Sequence, residues 1–260
     1  MRADVYLTAA GHTASRKKAQ DLIDAGAVRI DGVPVKKSAQ NVDESVPHEV
    51  SIEQVFRYVS RGGMKLEAAL DAFRVNVNRK KAVDVGASTG GFTDCLLKRG
   101  AAKVIAVDSG IGQLHESLLR DPRVRSVERF NARELDDAVT EGPCDIAVCD
   151  VSFISQTYLI PRIAAVLKAE GEYIGLIKPQ FEAGRSALGK GGVVHNAAYR
   201  YLAVKRVLEC AMEHGFDCVG LIPSPIEGGD GNKEYLAYFI KRTCLIPRLD
   251  DKLLRRITAL

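Results

Sequence analysis

No apolar run in the 260-residue chain approaches the length that spans a bilayer, and the opening Met1-Arg-Ala-Asp-Val-Tyr6 lacks the apolar core of a signal peptide. A soluble cytoplasmic protein with no membrane partner is expected. The six cysteines (Cys95, Cys144, Cys149, Cys210, Cys218, Cys244) contain no C-x-x-C pair, which points to reduced, packed thiols rather than a disulfide framework. Five histidines are scattered without H-E-x-x-H spacing, so no metal site is expected. Net charge is only +4, too mild to establish a nucleic-acid partner, and the distribution of charge has to decide. Neither an internal repeat nor a low-complexity tract is present. What remains is an ordinary globular composition, 46% apolar and 27% charged. Its length suits one large α/β domain with a small appendage.

The stretch that organises this composition is Lys81-Ala-Val-Asp-Val-Gly-Ala-Ser-Thr-Gly-Gly-Phe92, an apolar β-branched run that empties into a glycine-rich turn and then a helix. It reads as the first strand, ligand loop and first helix of an α/β sheet. Gly86, Gly90 and Gly91 let backbone amides come close to a ligand, with the positive end of the following helix aimed at the loop. Ser88 stands where a G-x-G-x-x-G fingerprint needs its second glycine, which disfavours a dinucleotide. An S-adenosylmethionine loop fits better, because a carboxylate and a ribose need less room than two phosphates. A tight strand-to-helix turn without a ligand is the alternative.

Residues 1–59 read as a separate module. Leu7, Ala10, Ala19, Leu22 and Ile23 recur at helical spacing around Gly11, with Thr13 and Ser15 as candidate caps, and Ala27 to Val35 reads as a hairpin turning at Asp31-Gly32. Arg2-x-Asp4-x-x-Leu7, Ser15-Arg16-x-x-Ala19-x-x-Leu22-Ile23 and Gly26-x-Val28-x-Ile30-Asp31-Gly32 resemble the RNA-binding module first seen in a small-subunit ribosomal protein. Arg16, Lys17 and Lys18 open the second helix, while Arg29, Lys36 and Lys37 lie on or after the hairpin. With Arg2 and Arg61 they make a basic set suited to phosphates. A solvated charged face is the bland alternative. No aromatic stacking platform accompanies these residues, so structured RNA is favoured over single strands. Residues 60–66 form a linker, in which Gly62-Gly63 suggests a hinge before a helix carrying Met64, Leu66, Ala69, Leu70 and Phe73.

From residue 67 to 260 apolar strands alternate with helical patterns. The strand candidates are Lys81–Gly86, Lys103–Val107, Val124–Glu128, Asp145–Cys149, Tyr173–Ile177, Cys218–Ile222 and Tyr235–Ile240. Such alternation predicts a doubly wound sheet with ligands at the carboxyl ends of its strands. Asp108, ending the second strand, is placed to hold a ribose hydroxyl pair. Asn131, with Ala132 beside it, either meets an adenine edge or caps a helix. Residues 179–194 form a glycine-rich loop of the kind used as a mobile lid, followed by a long helix through His214. Leu249–Leu260 reads as a short basic amphipathic helix.

Four charged residues fall where such a sheet brings strand ends together: Lys65 before the first helix, Asp150 after the fourth strand, Lys178 after the fifth and Glu234 before the last. Ser60-Arg-Gly-Gly-Met-Lys65-Leu66, Asp84 through Phe92, Asp150-Val-Ser-Phe-Ile-Ser155, Lys178-Pro-Gln-Phe181 and Gly231-Asn-Lys-Glu-Tyr235 resemble the TlyA family of FtsJ-like ribose methyltransferases. Together with the amino-terminal module the match covers nearly the whole chain. Arg57-Tyr58-Val59 also resembles the segment that joins the family's two domains. The resemblance implies a Rossmann-like methyltransferase sheet of seven strands, the last antiparallel, with a small α+β RNA-binding domain.

It implies S-adenosylmethionine as cofactor, held by Asp84, Gly86, Ala87, Ser88, Gly90, Gly91, Phe92, Asp108, Asn131, Ala132 and Asp150. It implies ribosomal RNA or ribosomal subunits as partner and a cytidine 2′-hydroxyl as methyl acceptor; a monomer is expected, although the sequence does not reveal the oligomeric state. Lys65, Asp150, Lys178 and Glu234 become a catalytic tetrad in which Lys178 orients the hydroxyl and helps deprotonate it. Burial and a neighbouring ammonium depress the pKa of Lys178 while Asp150 and Glu234 oppose them, a balance that geometry decides. An RNA-binding factor with an inert methyltransferase fold is the competing reading. A hemolysin, the label carried by many family members, finds no membrane segment to support it.

Overall fold

The computed structural model describes residues 1–24, 26–52, 57–228, 231–242 and 250–259. Phe56, Cys244, Leu249 and Leu260 lie outside them. The chain divides into two compact units, Met1–Arg61 and Gly62–Leu260.

In the first unit, helices α1 (Ala3–Ala9) and α2 (Arg16–Asp24) precede strands β1 (Val28–Ile30), β2 (Val33–Pro34) and β3 (Val50–Ile52). Ser15 Oγ accepts the Lys18 N–H at 3.2 Å, the cap expected from the sequence. The β1–β2 hairpin turns at Asp31 (φ 52°) and Gly32 (φ 75°), the paired positive values that a two-residue hairpin requires. Strand β3 pairs with β1 and completes a three-stranded sheet in the order β2-β1-β3. Leu7, Ala19, Leu22, Ile23, Val28 and Ile30 make the core under it. Fully buried Asp4 accepts from Arg2 (2.9 Å), Arg16 (3.2 Å) and Gln20 (2.8 Å). Arg2 first among these partners holds its carboxyl well below the usual carboxylate range, against the effect of burial.

The second unit is built on strands β4 (Lys81–Val85), β5 (Lys103–Val107), β6 (Val124–Val127), β7 (Cys144–Cys149), β8 (Leu167–Ile177), β9 (Phe216–Pro223) and β10 (Tyr235–Lys241). Their order is β6-β5-β4-β7-β8-β10-β9, with β4 to β8 parallel to their neighbours and β10 antiparallel to both β8 and β9. This is the doubly wound sheet expected, its last strand antiparallel. The strand order reverses between β4 and β7, and there the crevice for a ligand forms. Helices α3 (Gly62–Phe73), α4 (Gly91–Lys98), α5 (Glu116–Leu119), α6 (Asp137–Thr140), α7 (Ile160–Ala165), α8 (Pro179–Glu182), α9 (Ala197–Glu213) and α10 (Asp251–Ala259) connect or follow the strands.

The structure differs from the sequence expectation at several places. Strand β3 was not expected, and residues 179–182 of the expected loop form α8, where Pro179 takes the first helical position. Strand β8 starts six residues before Tyr173, hidden by the polar run Lys168-Ala-Glu-Gly-Glu172, in which Glu170 takes a positive φ of 58°. Gly62 and Gly63 form the first turn of α3 rather than a loop before it.

Replacing Asp4 with Ala leaves two guanidinium groups without their shared acceptor, and is expected to weaken the first unit by about 1–3 kcal/mol at pH 7. A lowered carboxylate pKa contributes stability above the unfolded value near 4 and loses it as pH falls. The difference between wild type and Asp4→Ala, read from amide hydrogen exchange within residues 1–61, should therefore shrink below pH 3.

Candidate active site

The four charged residues singled out in the sequence meet as two ion pairs. Lys65, buried in the second turn of α3, donates to Glu234 Oε2 just ahead of β10. Lys178, following β8, places its ammonium 2.6 Å from Asp150 Oδ1, following β7, and donates to Ser152 Oγ at 3.0 Å. Side-chain exposure is 10% for Lys65, 2% for Glu234, 12% for Lys178 and 23% for Asp150. Asp150 is the most exposed of the four.

The pairs are electrostatically joined, because Glu234 also acts on Lys178. Burial works against the charge of Lys178, but Asp150 and then Glu234 outweigh it, and its pKa rises above the ordinary lysine value. Before any ligand arrives Lys178 is held as an ammonium by these carboxylates.

Asp150 is also fixed from the cofactor-loop side. Its N–H donates to Val85 O at 3.0 Å, and a Cβ on Gly86 (φ +86°) would meet Asp150 O at 2.5 Å. Gly90 is constrained by its backbone, whose φ of +96° strains any residue with a Cβ. These glycines are required by conformation and contact.

The amides of the loop are spent differently from the sequence expectation. Gly86 and Ala87 donate to Val107 O, at 2.9 and 3.1 Å, Gly90 donates to Ala87 O at 2.7 Å, and Ser88, with a positive φ of 48°, donates to Asp108 Oδ2 at 2.7 Å. Gly91 and Phe92 are buried in the first turn of α4. Asp108 Oδ1 accepts from Gly110 N at 2.7 Å. A small cavity beside it is lined by Ala87, Ser88, Gln113, Leu114 and Glu128. Of these, Gln113, Leu114 and Glu128 carry no motif by which sequence reasoning could have found them. Asn131 caps the short turn that starts at Ala132, accepting the Arg133 N–H at 3.1 Å.

Beneath the loop lies fully buried Asp84, whose Oδ2 accepts from Thr93 Oγ1 at 2.7 Å while Oδ1 has no hydrogen-bond partner among the described residues. Burial, reinforced by the charges of Asp150 and Asp108 and opposed by Thr93, pushes its pKa up to about 7.

Phe153 stands at the rim, 92% exposed and in the left-handed region (φ 65°), with its ring 5.2 Å from that of Phe181. A phenylalanine with a positive φ is an uncommon backbone conformation. A wider cleft of about 550 Å³ between Arg133, Tyr158, Pro161 and Arg162 carries no carboxylate.

Of the basic residues expected to face RNA, Arg2, Arg16, Lys17, Lys36 and Lys37 are exposed and Arg29 is half-buried on β1. Lys18 instead donates to Val59 O at 2.7 Å, and Arg61 lies 3.7 Å from Asp24. Among the described residues no three His, Cys, Asp or Glu side chains are grouped to hold a metal ion.

The FtsJ-like methyltransferase family matches residues 58–241, and the S4 domain matches residues 1–46. Over 93% of its length the chain is 43% identical to the Mycobacterium tuberculosis protein named 16S/23S rRNA (cytidine-2'-O)-methyltransferase TlyA, of which it covers 90%. It is also 43% identical to Hemolysin A of Brachyspira hyodysenteriae, over 92% of this chain and 100% of that protein. A solved structure from Streptococcus thermophilus superposes with a TM-score of 0.81 at 38% identity, covering 100% of this chain and 94% of its own. The chain belongs to the TlyA family of FtsJ-like methyltransferases.

The raised pKa of Asp84 has a signed consequence. A carboxyl whose folded pKa exceeds its unfolded value near 4 favours the fold at low pH, and that contribution is lost as pH rises through about 7. Each unit of upward shift costs about 1.4 kcal/mol once the group ionises. Asp84→Asn should remove this dependence, so that between pH 5 and pH 8 the wild-type melting temperature falls relative to the variant. Parallel curves for the two proteins would refute the assignment.

Proposed function

We propose that this TlyA-family protein transfers a methyl group from S-adenosylmethionine to the 2′-hydroxyl of a cytidine in ribosomal RNA. The observation that carries the reading is the convergence of the Lys178–Asp150 and Lys65–Glu234 pairs at the carboxyl ends of the central strands, with Asp150 packed against Gly86 of the cofactor loop. The relative in M. tuberculosis bears this activity in its name.

The cofactor is cationic and carries a ribose diol, and the residues fit it. Asp108 spends one acceptor position of each oxygen on Ser88 and Gly110, leaving further lone pairs for hydroxyl groups. Asp84 keeps an unpartnered buried oxygen, and Asp150 supplies a third carboxylate beside the loop. Asp84, Gly86 to Ser88, Gly90 to Phe92, Asp108 and Asp150 would hold it, with Asn131 and Ala132 at the adenine end. The group supplies an electrophilic methyl on a sulfonium that becomes neutral on transfer.

The chain's own part is alignment and charge. Lys178, held by Asp150 and Ser152, points its remaining donor capacity at the acceptor oxygen and stabilises negative charge as it develops there. Positive charge brought into the site with the cofactor works against the raised pKa of Lys178 and eases its loss of a proton to solvent, so that the amine can receive the hydroxyl proton as the oxygen bonds to the methyl carbon and the carbon–sulfur bond breaks. Lys65 neutralises Glu234 and keeps that carboxylate in place. Holding the hydroxyl in line with the methyl group can supply roughly 7–11 kcal/mol of the barrier reduction.

Substrate engagement is shared by the two units in this reading. Arg2, Arg16, Lys17, Arg29, Lys36 and Lys37 of the S4 domain meet RNA phosphates, the first two oriented by Asp4. The exposed Phe153 ring offers a face on which a nucleobase can stack beside Lys178. The Hemolysin A name of the Brachyspira relative belongs to the same family; among the described residues no helix is long and apolar enough to cross a membrane.

Labelled methyl transfer to purified small and large ribosomal subunits, followed by mapping of the nucleotide, tests the reading. Wild type should label a cytidine 2′-oxygen, and Lys178→Ala should lose roughly a hundredfold or more in rate while retaining RNA binding. Cofactor binding by wild type with no label on either subunit would favour an inert RNA-binding factor instead.

A further inference from the structure

The proposed chemistry leaves one buried acid without a role. Glu182 ends α8, one turn after Lys178, and is 3% exposed. Its carboxylate reaches across to the loop that follows Asp150. Oε1 accepts the Gln156 N–H at 2.8 Å, and Oε2 accepts the Ser155 hydroxyl at 2.5 Å. Gln156 continues the link, for its side-chain amide donates to Leu176 O and its Oε1 accepts from Tyr173 O–H at 2.7 Å. Gly175 leaves room for this, since a Cβ there would meet Gln156 Oε1 at 2.6 Å.

The register shows what these contacts replace. The parallel ladder between β7 and β8 ends at Cys149 opposite Gly175. Asp150 and Ser152 on one side and Lys178 on the other lie past that last pair, where ladder bonds no longer set their separation. A buried carboxylate is costly unless its hydrogen bonds are satisfied, and burial raises the pKa of Glu182, against the effects of Ser155, Gln156 and Arg206. Stability alone would be served as well by an apolar residue.

We infer that Glu182 is a positioning residue, bracing the loop of Asp150 and Ser152 against the segment of Lys178 so that the lysine meets the acceptor oxygen in line. The inference rests on the methyltransferase reading above. A displacement of about 1 Å at a reacting group can cost on the order of a hundredfold in rate.

Glu182→Ala and Glu182→Gln, compared with wild type in steady-state methyl transfer and in cofactor binding, test it. Glutamine keeps a carbonyl for the Gln156 N–H and can donate to Ser155 Oγ, whose hydrogen then turns to Thr157 Oγ1, 2.7 Å away. Glu182→Ala should lower kcat roughly tenfold to a hundredfold with KM for RNA and cofactor affinity within about twofold, and Glu182→Gln should recover most of kcat. Should Glu182→Ala fail to fold, Ser155→Ala removes one arm of the brace and should lower kcat in the same selective way. A kcat within about twofold of wild type, or a parallel loss of kcat and cofactor affinity that glutamine does not restore, would overturn the inference.

Titration of Lys178 by NMR gives a readout that needs no substrate. Loosening the pair with Asp150 should move the lysine pKa down in Glu182→Ala, and an unmoved titration contradicts the brace. Absence of methyl transfer by wild type would sink the functional reading and leave this titration to decide the brace.

Discussion

Two lysine–carboxylate pairs held at less than a quarter exposure are the constraint on which the rest of this structure depends. A lone buried charge is costly, and each of these groups meets one of opposite sign. Each pair is assembled from segments far apart in sequence, Lys65 with Glu234 and Asp150 with Lys178. The α3 helix, the β7 and β8 ends and the start of β10 must therefore all be in place before the site exists. The sheet supplies that placement: β4 and β7 lie side by side at the reversal of strand order, and β8 pairs with β10 up to Ile177 opposite Tyr235.

The same end of the sheet carries other buried acids, each balanced differently. Asp84 has one hydrogen-bonded oxygen and drifts toward neutrality, whereas Glu182 spends both oxygens on the loop of Asp150. Asp108 takes two backbone amides and shapes the turn around Ser88 and Gly110. Each of these carboxylates has a hydrogen bond or an ion pair that fixes its position.

Much of this was legible in the sequence, for identifiable reasons. Strands such as Lys81–Val85 and Lys103–Val107 are short apolar runs bounded by turn residues, and the Asp31-Gly32 hairpin carries the residues its positive φ values demand. The four charges at strand ends were visible as a pattern, and the TlyA resemblance gave them roles. Strand β3 was not legible, because three partly exposed residues after a polar stretch have no period to detect. The first half of β8 is masked by its charged residues. Ser152 and Glu182 look like ordinary polar loop residues, and only their spacing in three dimensions reveals them. The loop glycines were recognised correctly as special, but several of the amides expected to face a ligand are engaged with Val107, Ala87 and Asp108.

If the pairs act as one unit, removing a second member after the first should cost little more, because the geometry is already lost. The most direct measurement is a double-mutant cycle on methyl-transfer kcat with Lys178→Ala, Asp150→Ala and the combination. The double variant should fall about as far as the more damaged single variant. Losses that add in free energy would mean that Lys178 and Asp150 contribute independently, and the account of a coupled catalytic unit would be wrong.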